Sequence, residues 1–184
     1  MGNLLRDRRT AAEWAAARQV IEISEKVGSF EQLAAIVDAD LAALEADKIP
    51  VAWRDSLVSG ALEFGFADAR QTLPAVDCRI ALTVDAVCQR CLAPFRLPLE
   101  VEAGLLLLAF EQTAEGYDEY EVWELEEQTL RPLDIVEELL ILALPFAAMH
   151  VESAACKVLT AEAEPGEDTT RPFAALREQM TEEH

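Results

Sequence analysis

Apolar and polar residues alternate with period two over residues 76–87 and again over residues 95–105. In the first run Val76, Cys78, Ile80, Leu82, Val84 and Ala86 fall on one face, and Asp77, Arg79, Thr83 and Asp85 on the other. In the second, Phe95, Leu97, Leu99, Val101, Ala103 and Leu105 alternate with Arg96, Pro98, Glu100 and Glu102. Period-two alternation is the signature of a strand buried on one side. The two runs are joined by Cys88-Gln89-Arg90-Cys91-Leu92-Ala93-Pro94, so the pattern predicts a hairpin with a Cys-x-x-Cys tip.

Elsewhere the spacing is helical. Ser29 and Gln32 have the separation of a capping box, and Phe30, Leu33, Ile36, Val37, Leu41 and Leu44 then form one apolar stripe that ends before Pro50. Pro132 suits a first helical turn. It opens a second stripe of Leu133, Val136, Leu139, Leu140, Ala143 and Leu144, with Asp134, Glu137 and Glu138 opposite and Pro145 as the stop. A short helix is predicted over residues 10–18, an edge strand over 19–27, a strand over 58–67 and a further one within 119–125. The fold class that results is α+β: an antiparallel sheet around the central hairpin, packed against two amphipathic helices. Residues 1–158 are predicted to form a single domain with a mainly helical lead-in over 1–50. Residues 159–170 read as an acidic linker, and residues 171–184 as a short helical tail anchored by Phe173 and Leu176.

Charge narrows the choice of partners. The 184 residues carry a formal net charge of -20, with a pI near 4.3. A molecule this acidic repels DNA, RNA and anionic membrane at long range and attracts basic partners. No signal-peptide pattern opens the sequence, and its longest apolar runs fall far short of the ~20 residues that span a bilayer. The expected setting is the cytoplasm, where Cys78, Cys88, Cys91 and Cys156 serve as thiols or metal ligands rather than disulfides.

Two constellations bear on chemistry. Cys88 and Cys91 have zinc-knuckle spacing, and His150 and Cys156 are the other residues of suitable type, so the four together would make a structural zinc site clamping a loop onto the hairpin tip. The competing reading is two small turn residues, a surface histidine and a loosely packed cysteine. Cys78 lies on the apolar face of its strand and is expected to be simply buried. Between residues 69 and 99, Arg70, Arg79, Arg90 and Arg96 outnumber Asp77 and Asp85, which makes Arg90 and Arg96 candidates for a local contact with RNA or a partner. The plainer reading is that these arginines neutralise neighbouring acids. The carboxylates at residues 118–127 and 137–138 show no spacing that singles out a catalytic pair, and no phosphate-binding glycine loop or nucleophile elbow is present.

Three separated pieces together resemble the YceD family: Cys88-Gln89-Arg90-Cys91-Leu92-Ala93-Pro94-Phe95; Leu133-Asp134-Ile135-Val136-Glu137-Glu138-Leu139-Leu140 with His150 and Cys156 following; and Arg171-Pro172-Phe173-Ala174-Ala175-Leu176. Members of that family often have a proline where this chain has Ala148. The resemblance implies a role in making, processing or stabilising large-subunit ribosomal RNA. It brings no catalytic residues with it. The expected function is therefore a non-enzymatic factor acting on the assembling large ribosomal subunit, chiefly through a basic ribosomal protein or other assembly factor. A metal-dependent RNA-processing hydrolase and a zinc-stabilised acidic adaptor are the alternatives.

Overall fold

The computed structural model describes residues 3–109, 112 and 116–150. The linker and tail expected at 159–184, and Cys156, lie outside them. No helix among the described residues is long and apolar enough to cross a membrane.

The chain enters through β1 (Arg9–Thr10) and α1 (Ala11–Ala17). A capping box starts α1: the Glu13 amide donates to Thr10 Oγ1 and the Thr10 amide to Glu13 Oε2. This holds Trp14 in the core, stacked on Phe64 with ring centroids 5.3 Å apart, beneath the Arg9 guanidinium at 4.5 Å. Arg18 then adopts a left-handed conformation, φ 45°, and turns the chain into β2 (Val20–Lys26).

Next come α2 (Glu31–Leu41), β3 (Leu57–Phe66), β4 (Pro74–Val87), β5 (Pro94–Ala109), β6 (Glu121–Leu125), β7 (Thr129–Leu130) and α3 (Pro132–Ala143). Strands β2 to β6 form one sheet in sequential order, while β1 and β7 pair separately. Every pairing in the large sheet is antiparallel except β5 with β6, which is parallel. The central register sets like against like: Cys78 opposes Ala103, Ile80 opposes Val101 and Leu82 opposes Leu99 on one face, while Arg79 opposes Glu102 on the other. This is the pairing that buries both apolar sets at once, and a slip of one residue would expose them.

Leu33, Val37 and Leu41 of α2 join Leu133, Val136 and Leu140 of α3 in one core with the sheet. Burying each such side chain is worth about 1.5–3 kcal/mol. Leu105 and Leu107 belong to that core, whereas Leu106 and Leu108 face the opposite side and pack with Ala75, Tyr117 and Tyr120. The apolar run in β5 is thus buried on both faces.

Four expectations need correction. Ser29 does not cap α2: it lies in a 3-10 turn, Val27–Ser29, and Phe30 takes the cap position. The cap is supplied from α3, where Glu137 Oε1 accepts from the Gln32 amide at 2.6 Å and the Leu33 amide at 3.1 Å. Glu137 is accordingly buried rather than on the solvent side of its helix, because its charge is used by the amide ends of the neighbouring helix. Asp85 is likewise buried despite its place among the polar positions of β4, and Ile36 of the predicted apolar stripe is exposed.

Candidate metal centre

Sharp local geometry shapes the hairpin tip. The Leu92 amide donates to the Cys88 carbonyl at 2.8 Å and the Cys88 amide to the Ala93 carbonyl at 2.9 Å, with Leu92 left-handed at φ 56°. This compact turn carries both cysteines on the side that receives the loop leaving α3. The loop is held there by the Gln89 amide, which donates to the Ala148 carbonyl at 2.9 Å. Arg90 reinforces the seam, its Nη2 lying 3.8 Å from Met149 Sδ. His150 meets the edge of Phe95 with ring centroids 5.2 Å apart.

As a result, Cys91 Sγ lies 3.6 Å from His150 Nε2, and the ligand atoms of Cys88, Cys91 and His150 all fall within 4.8 Å of one another. Around tetrahedral zinc, bonds of ~2.0–2.3 Å set ligand atoms roughly 3.3–3.8 Å apart. The Cys91 to His150 separation already meets that spacing. Two thiols and an imidazole form a donor set suited to zinc. The three residues could therefore hold a metal ion, and Cys88 is fully buried while Cys91 and His150 are half-buried. Three of the four residues singled out from the sequence converge, and the fourth, Cys156, lies outside the described residues.

Cys78 is elsewhere, in the middle of β4. Burial and, secondarily, the charge of Asp77 push its thiol up to about 12, so it stays protonated. That suits a core cysteine and not a ligand.

The arginines divide. Arg96 Nη1 is 3.5 Å from the buried Asp85 carboxylate, directly across the ladder, and its Nη2 donates to the Thr83 carbonyl at 3.1 Å. Arg79 pairs with Glu63 on the neighbouring strand. Both thereby follow the neutralising reading. Arg90 stands at the tip itself, exposed, against Met149.

Two acids stand beside the centre that the sequence pattern does not single out. Asp40, near the end of α2, accepts from the Val87 amide at 2.8 Å, one residue before Cys88. Asp40 and Asp85 also line a cavity of about 210 Å³ between α2, the hairpin and the loop after α3, with Ile36, Phe146 and Ala148 around it. The available signal was that the alternation lapses around Asp85, where Val84, Ala86, Val87 and Cys88 place apolar residues on both faces. Asp40 gave none, since an acid near a helix end reads as solvated.

No curated protein and no solved structure matches the chain. The family described as Large ribosomal RNA subunit accumulation protein YceD matches residues 76–179, a span that takes in the hairpin, its cysteine tip and α3. Since this is more than half of the 184 residues and contains the cluster just described, the chain belongs to the YceD family.

Proposed function

We propose that this chain is a non-enzymatic cytoplasmic factor that sustains large-subunit ribosomal RNA by binding assembling particles through protein partners. The observation that carries the reading is the family match over residues 76–179, with the family's description naming large ribosomal RNA subunit accumulation. The net charge of -20 sets the mode: such a molecule finds basic ribosomal proteins or assembly factors more readily than bare RNA. Any RNA contact is local, centred on Arg90, because Arg96 is engaged by Asp85 and Thr83.

Within this reading Cys88, Cys91 and His150 hold a structural zinc ion that staples the hairpin tip to the loop after α3. Their convergence supports the assignment.

Depletion in the host, read as the ratio of large-subunit to small-subunit RNA with gradient profiles, tests the function. A selective fall in the large-subunit RNA is expected. An unchanged ratio in a verified depletion refutes it.

A further inference from the structure

β6 forms one edge of the large sheet, and among the described residues no strand pairs with its outer side. All five of its residues line a groove of about 490 Å³ whose other wall is α3. Leu105, Leu130, Ile135 and Leu139 contribute to its lining and are buried. At its rims two aliphatic side chains stand in solvent, Leu142 at 72% exposure on α3 and Val122 at 59% on β6. The groove therefore combines apolar surface with an open row of backbone donors and acceptors.

Its charge is one-sided. Six carboxylates line it against Arg8 and Arg131. Arg8 is paired with Glu127, and Arg131 donates from Nε to Asp134 at 3.0 Å. Glu121, Glu124, Glu126 and Glu138 have no ion-pair partner among the described residues. Nucleic acid, an anionic membrane or a second acidic copy of this chain would each meet repulsion here.

We propose that this groove binds a lysine- and arginine-rich extended segment of a partner protein, its backbone along the outer edge of β6. Aliphatic side chains of the segment cover Leu142 and Val122, and its cations meet the groove's glutamates. Strand addition of this kind draws affinity from main-chain hydrogen bonds and specificity from alternate side chains. The inference rests on the reading that the protein acts through basic protein partners, and it names where they bind.

The test titrates the full chain with a labelled synthetic peptide alternating lysine and valine, a glutamate–valine counterpart and a single-stranded RNA oligonucleotide. Binding of the lysine peptide alone, weakening steeply with salt, is expected. E121K/E124K/E138K should lower that affinity by about 100-fold, and L142S by roughly 10-fold. A photo-crosslinker at position 142 provides a readout that does not depend on the charge variant folding, and it should label the peptide. Equal binding by the charge variant, preference for the acidic peptide or RNA, or crosslinking only within the chain or between copies overturns the proposal. Complementation separates the two readings. If wild type restores the RNA ratio in depleted cells and the charge variant restores it equally, the groove is not the site of partner binding while the function stands. If depletion never changes the ratio, the functional reading fails whatever the peptide does.

Discussion

Replacing Glu137 tests how the two helices are locked together. Its carboxylate accepts from the second and third amides of α2, at 2.6 and 3.1 Å, from a buried position on α3. Glu137→Ala leaves both amides without an acceptor, and an orphaned buried donor costs about 1–3 kcal/mol. The two share one acceptor atom and one helix end, so the losses overlap, and a total of about 3 kcal/mol is expected. Glu137→Gln keeps a carbonyl oxygen where Oε1 sits and forfeits only the charge, worth about 1 kcal/mol at a partly buried helix end. For a chain of this size these translate into Tm losses of roughly 6–12 °C and 2–4 °C. Urea unfolding followed by far-UV circular dichroism gives both values on one scale. Equal losses in the two variants, or a loss below about 0.5 kcal/mol for Glu137→Ala, would refute the capping argument.

Elemental analysis should find one zinc per chain, and Cys88→Ser, Cys91→Ser or His150→Ala should each release it. Structural zinc in small sites is worth about 10–16 kcal/mol, so chelation should at least free the tip from its loop, and metal-free protein with unchanged melting would count against the site. Under iodoacetamide at about pH 8, Cys78 should remain unlabelled until the protein unfolds, because its thiol is held protonated. Arg96→Ala strands the Asp85 carboxylate and should cost about 1 kcal/mol by urea titration, whereas Arg90→Ala should fall within about 0.5 kcal/mol of wild type. Gly60→Ala should cost about 3 kcal/mol or more, since Gly60 has φ 151° and an added Cβ would stand 2.0 Å from the Arg79 carbonyl oxygen; near-wild-type melting would contradict this.

Local periodicity made much of the fold legible. The alternation in β4 and β5 placed the hairpin and its cysteines, and the two stripes placed α2 and α3, because one-sided burial leaves its period in the residues. Strand direction leaves no such trace, so the parallel run of β6 beside β5 came only from the structure. Nor does composition reveal an acid whose partner is distant in sequence. Glu137 serves amides 105 and 104 residues away, so it reads as a solvated glutamate until the helices are packed together. Ser29 illustrates the converse, a capping residue by local spacing that a tertiary partner replaced. At the candidate site, cysteine and histidine chemistry indicated which residues to watch. The Gln89 to Ala148 hydrogen bond that joins tip and loop links backbone groups, which carry no sequence signature.

The last β3–β4 pair is Val58 with Leu82, yet β4 continues to Val87, so the hairpin outruns the sheet as a ribbon of two strands. Such ribbons are marginal when isolated. This one is steadied by Asp40, the Asp85–Arg96 pair and the seam at Ala148. One strand therefore spans two regimes of native-state opening. Amides of residues 76–82 should exchange with deuterium only on global unfolding, while those of 83–87 exchange through a cheaper sub-global event whose free energy reports how firmly the tip is fastened.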